Sequence, residues 1–130
     1  MMIQSGTVDH AVQQAHREAT KAPISQVAGM LQDLLSRRLT AYIVGVGDGK
    51  TVARWANGNV AEIRDHEIEK KLRATYEIAQ LLLTGDAAQT VKAWFLGLNP
   101  ELNDVSPSEA LRDGQLKESL AAARAFLAGG

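Results

Sequence analysis

The stretch Gly45-Val46-Gly47-Asp48-Gly49-Lys50-Thr51 carries the residue types that cradle a phosphate: glycines that let backbone N–H groups converge, a lysine and a threonine. A phosphate loop needs four residues between its first glycine and the closing Gly-Lys-Thr. Counting back from Gly49 puts that first glycine at Val44, and starting from Gly45 leaves only three intervening residues. The dinucleotide pattern fails too, because its third glycine falls on Lys50. Ala41-Tyr42-Ile43-Val44 could form a preceding strand, but no acidic strand for magnesium follows and too little chain remains for a parallel sheet. The segment reads instead as a glycine-rich turn between two helices.

Other residues that could do chemistry do not converge. His10, His16 and His66 have no partners at metal-ligand spacing. Asp65, Glu67 and Glu69 read as a solvated charged face rather than an acid–base pair. Cysteine is absent, which removes disulfides, thiolate zinc sites, iron–sulfur clusters and cysteine nucleophiles. No nucleophile–base–acid arrangement can be argued. The expectation is a protein that is not an enzyme, with no cofactor, no metal and no small-molecule substrate.

The chain has 130 residues, enough for one domain or two very small helical modules. Apolar residues are 45% and aromatics 5%, with Ala and Leu prominent, which favours helices over a sandwich or barrel. No apolar run is long enough to span a membrane, and the segment from Met1 to Ala22 lacks the basic cluster and apolar stretch of a signal peptide. A cytoplasmic protein without membrane contact is expected. Net charge is −1, unevenly placed. Residues 23–60 hold Arg37, Arg38, Lys50 and Arg54 against Asp33 and Asp48, a net +2. Residues 86–130 hold Lys92, Arg112, Lys117 and Arg124 against six acids, a net −2. Such a chain does not coat nucleic acid in bulk, but a small basic module can be joined to an acidic one.

Helical periodicity organises the rest. Residues 1–22 carry few large apolar groups and are expected to be a frayed helix or flexible arm. Ile24, Val27, Leu31, Leu34 and Leu35 predict an amphipathic helix over 24–37, followed by a short one through Leu39, Tyr42, Ile43 and Val44. Asp48 is placed to cap a third helix that stops at Asn57-Gly58. A long connecting or dimerisation helix lies within 61–85, its buried stripe marked by Ile68, Leu72, Tyr76, Ala79 and Leu83. Asp86 is expected to cap the next, which presents Val91, Trp94, Phe95 and Leu98 and stops at Asn99-Pro100. Ser106-Pro107-Ser108-Glu109 is a capping box with Pro at the first helical position. A final helix carries Leu116, Leu120, Ala123 and Leu127. The fold class is all-α, about seven helices, divided into 23–60, the connecting segment 61–85, and 86–130.

The 38–57 segment fits a helix-turn-helix. That unit needs a short scaffold helix, a tight turn and a second helix with a small polar face for base edges. Val52 and Trp55 would face the core, leaving Lys50, Thr51, Arg54 and Asn57 outward. Arg can fork onto guanine and Asn onto adenine, while Lys and Thr suit phosphate. Asn59, just past the helix end, is placed for a backbone phosphate. A monomer with a +2 module would bind weakly, so specific binding calls for a homodimer on two half-sites.

Two stretches together resemble one family. The first is Thr51-Val52-Ala53-Arg54-Trp55-Ala56-Asn57-Gly58. The second runs through Trp94, Asn99-Pro100-Glu101-Leu102, Pro107, Ala110-Leu111, Gly114 and the helix Leu116 to Leu127. Over residues 24–128 the chain resembles the Xre/MbcA/ParS-type antitoxins, which join an Xre-like helix-turn-helix to a C-terminal toxin-binding domain. The resemblance implies an antitoxin of a toxin–antitoxin system that blocks a RES-domain, NAD-consuming toxin and represses its own operon by binding operator DNA. It also implies that the C-terminal helix occludes the toxin's nucleotide pocket. The toxin-facing residues would then be Arg112, Lys117, Arg124 and the tail from Phe126 and Leu127 to Gly130, with Trp94, Pro100, Leu102 and Pro107 structural. The sequence departs from the family at Ala110-Leu111, where two leucines are common, in its glycine-rich turn and in its 22-residue N-terminal segment. The alternative reading is a free-standing helix-turn-helix transcription regulator whose C-terminal module binds another protein.

Overall fold

The computed structural model describes residues 5–129. Among them the chain forms eight α-helices: α1 (Ser5–Lys21), α2 (Ile24–Leu35), α3 (Arg37–Val44), α4 (Gly49–Ala56), α5 (His66–Leu83), α6 (Ala88–Leu96), α7 (Pro107–Arg112) and α8 (Leu116–Leu127). A 3₁₀ turn, Pro100–Leu102, lies between α6 and α7. The expected all-α class holds, and the only extended pairing among the described residues is an isolated antiparallel bridge between Asn99 and Val105.

The fold is organised around α5. Leu72, Thr75, Tyr76, Ile78, Ala79, Leu81 and Leu82 are all buried, and they point to more than one side of the helix. This breadth lets α5 pack against α1, α2, α3, α6, α7 and α8. A helix apolar around most of its circumference belongs inside a core rather than across a solvent gap. Its start is fixed by Asp65, whose carboxylate accepts from Glu67 N at 2.9 Å and Ile68 N at 3.2 Å. Glu69 pairs with Arg73 one turn on, at 2.9 Å. The acids singled out in the sequence therefore cap and brace this helix.

Residues 5–21, expected as part of a frayed helix or flexible arm, form α1 and lie along α5. Val8, Ala15, Ala19 and Ala22 are buried. Small side chains let two helix backbones approach closely, so this helix docks without the large apolar groups that usually signal a core. Polar ties complete the seam. Arg73 donates through Nη1 to the carbonyls of Ala19 (2.7 Å) and Ala22 (2.8 Å), satisfying groups at the C-terminal end of α1. His16 Nδ1 lies 3.1 Å from Glu77 Oε1, and Arg124 reaches Asp9 at 3.0 Å.

Three boundaries differ from the periodicity. The helix expected over 24–37 is broken at Ser36, which sits at φ 98° and turns its hydroxyl to accept from Leu39 N at 3.1 Å, capping α3. Asp86 does not cap α6. Its N–H donates to Leu82 O at 3.0 Å to close α5, so α6 begins after Ala87. Then α6 ends at Leu96, because Gly97 turns extended and Asn99 is used twice, in the bridge to Val105 and as the cap of the 3₁₀ turn. Leu98, expected within this helix, consequently falls beyond it and is 77% exposed. The Ser106 cap forms as expected, its Oγ accepting from Glu109 N at 3.1 Å.

Candidate functional site

The candidate site is the unit α3–turn–α4. Helix α3 closes at Gly45, whose φ of +88° is costly for any residue with a Cβ. Ala41 O accepts from both Gly45 N and Val46 N, at 3.0 and 3.1 Å, reversing the chain tightly. Asp48 then opens α4 by accepting from Lys50 N at 2.8 Å. Beyond Ala56 the chain is wound off by bonds from Asn57 N, Gly58 N and Asn59 N to the last carbonyls, with Gly58 at φ +79°.

This geometry disposes of the phosphate-loop resemblance. Ala41–Val44 lies in a helix, not a strand. The N–H that a bound phosphate would need at Lys50 already has a carboxylate on it, and that carboxylate would repel an anion.

Within α4 the inward side is Val52, fully buried, and Trp55, 5% exposed. The helix packs on α2 and α3. Lys50, Arg54 and Asn57 are exposed, and their spacing puts them on one side of the helix. Thr51 is half-buried at the edge of that face, in a crevice shared with Arg54, Glu62 and Arg64. Asn59 is exposed just past the helix end. Among the described residues neither Lys50 nor Arg54 has an ion-pair partner. The face therefore presents two free cations and a carboxamide, groups suited to phosphate oxygens and base edges.

Spacing alone missed a further cation here. A Cβ at Gly49 would lie 2.8 Å from the Cβ of Arg37, so the first turns of α3 and α4 meet at van der Waals contact. Exposed Arg37 thereby flanks the start of α4, with Arg38 next to it in sequence and also exposed. No periodicity signals a glycine kept for the approach of another helix.

The residues expected to face a toxin are not brought together. Leu127 is buried in the core and Phe126 is half-buried with its ring 6.5 Å from that of Trp94. An amphipathic terminal helix needs these positions for its own packing. Arg112 donates to the backbone carbonyl of Tyr42 and lies 4.5 Å over that residue's ring, turned towards α3. Arg124 is paired with Asp9 of α1. Lys117 is exposed, beside a cleft of about 640 Å3 between α1, α5 and α8 whose walls include Ala74, Ile78, Leu116 and Leu120. Gly130 lies outside the described residues. Of the residues expected to be structural, Leu102 and Pro107 are buried, while Pro100 is exposed and serves as the first residue of the 3₁₀ turn. The buried Trp94 indole N–H has no acceptor among the described residues.

No described helix is long and apolar enough to cross a membrane. Comparison with protein-family models, with curated proteins and with solved structures finds no match to this chain.

Proposed function

We propose that the chain is an antitoxin: a DNA-binding repressor of its own operon that also neutralises a RES-domain, NAD-consuming partner. The observation that carries the DNA-binding half is the outward face of α4. That face holds Lys50, Arg54 and Asn57 on a short helix capped by Asp48 and anchored by Val52 and Trp55. In this reading Arg54 and Asn57 read base edges, while Lys50, Thr51 and Asn59 hold phosphates. Two copies engage two half-sites as a homodimer, because few cations per copy give weak binding alone. The toxin-binding half rests on the resemblance of the segment from Trp94 to Leu127. It is tested by co-expressing the chain with the product of the adjacent gene. Rescue of growth and co-purification of the two proteins support the reading; unrelieved toxicity, or a neighbour that leaves NAD intact, rejects it.

A second reading, a free-standing helix-turn-helix regulator, is favoured by one observation. Arg112, Arg124 and Leu127 are engaged within the chain itself rather than offered to a partner. Deleting residues 124–130 discriminates between the two. An antitoxin that occludes its target with the C-terminal helix loses rescue but keeps DNA binding, measured at a temperature where the truncated chain remains folded.

A further inference from the structure

We propose that Arg112 is a positioning residue for DNA reading. It belongs to α7 in the C-terminal part of the chain, yet it caps α3, the helix that sets the direction of α4. The proposal rests on the DNA-binding reading of α4.

The last carbonyls of an α-helix have no partner within the helix. In α3 the Ala41 carbonyl is satisfied twice over, by Gly45 N and Val46 N. The next one, Tyr42 O, lacks a backbone donor of this kind and receives Arg112 Nη1 instead. The donor is cationic and sits at the negative end of the helix dipole, so the bond is charge-assisted and the charge is favourably placed. The guanidinium also covers the Tyr42 ring at 4.5 Å, which limits the directions from which it can approach. Its own anchor is firm: Arg112 is the final residue of α7, a helix capped by Ser106 and packed on α3, α5, α6 and α8.

The fixed carbonyl stands close to the turn that launches α4. Two residues past Tyr42, at Val44, α3 ends; the chain then runs through Gly45-Val46-Gly47-Asp48, and α4 starts at the end of that turn. Glycine at two of the four positions makes the turn permissive, so its path is held at its ends. Asp48 fixes the α4 end and Arg112 fixes the α3 end. Packing of α4 on α2 and α3 keeps the helix folded, while the capped turn sets its register against DNA.

The test uses the full-length chain in four forms: wild type, Arg112→Gln, Arg112→Lys and Tyr42→Leu. Fluorescence anisotropy follows binding to a labelled duplex taken from immediately upstream of the reading frame, over a series of salt concentrations. Hydrogen exchange follows the amides of Gly45, Val46 and Lys50. A partly exposed charge-assisted bond corresponds to roughly a threefold to tenfold change. Arg112→Gln should weaken duplex binding by about that factor and speed exchange at the three amides by about as much. Amides in the middle of α5 should not change. Arg112→Lys should recover much of both effects, since an ammonium still donates to the carbonyl. Tyr42→Leu, which keeps the carbonyl and loses the ring, should fall between. The salt dependence should keep its wild-type slope.

A slope lowered by about one in Arg112→Gln makes Arg112 a phosphate contact and overturns the proposal. Wild-type exchange and affinity in Arg112→Gln overturn it as well. If the wild type binds no duplex but exchange at the turn still quickens in Arg112→Gln, the DNA-binding reading falls and takes the DNA role of Arg112 with it, leaving Arg112 only as a brace of the turn.

Discussion

Helix α4 and the C-terminal helices α7 and α8 all carry cations on an outward side, yet they use them differently. On α4, Lys50 and Arg54 are exposed and unpaired among the described residues. In the C-terminal part, Arg112 reaches back to Tyr42 and Arg124 reaches across to Asp9 of α1. The first arrangement leaves donors for something outside the molecule. In the second, Arg112 and Arg124 fasten one part of the molecule to another, and Lys117 alone of the three cations has no partner among the described residues. The presence of outward cations alone would have assigned the same role to both, so the useful quantity is the number of cations left without an internal acceptor.

Cuts made behind each helix put this contrast under the greatest load. Trp55→Ala should cost about 3–5 kcal/mol of stability, because it empties the space behind α4. Urea unfolding followed by circular dichroism would show it, and a loss under about 1 kcal/mol would mean α4 is seated by something else. Leu127→Ala makes the matching cut behind α8 and should cost about 2–5 kcal/mol, again in stability. A variant that melts like the wild type but fails to bind a partner would return Leu127 to the surface. On the outer face, Arg54→Ala should cost about 1–3 kcal/mol of specific DNA binding with little change in melting, if Arg54 reads a base. Equal affinity of mutant and wild type in a low-salt gel shift removes it from the reading face. Arg124→Gln should have the smallest effect, about 0.2–1 kcal/mol, since both partners of that ion pair are about half exposed. A larger loss, with rapid hydrogen exchange throughout α1, would show that this pair holds the N-terminal helix down.

Local signals in the sequence carried well. Asp48 and Ser106 cap the helices they were expected to cap, and Val52 and Trp55 face inward at the spacing that put Lys50, Arg54 and Asn57 outward. Each is decided within one turn of chain, where propensity and hydrogen-bonding capacity act directly. Asp86 and Ser36 departed from expectation locally, but the larger failures involve residues whose partners are distant. The alanines of α1 look ordinary until α5 lies beside them. Arg112 and Arg124, expected to face a toxin, are met instead by Tyr42 and Asp9, and Arg73 reaches the end of α1. Ser36 breaks α2 from α3 with no glycine or proline to announce it. The same blindness hid Arg37 beside Gly49, since a close approach between helices leaves no periodic trace.

The pairing of Asp9 with Arg124 has a consequence for how the protein is made. The two residues are 115 positions apart, so α1 leaves the ribosome long before its final fastening exists. At roughly 5–20 residues per second, synthesis of the intervening chain takes several seconds or more. During that interval α5, the helix along which the alanine face of α1 lies, is already made, while α8 is not. α1 can therefore lie down on α5 first, and the Asp9–Arg124 pair closes afterwards as a clasp on a helix already in place.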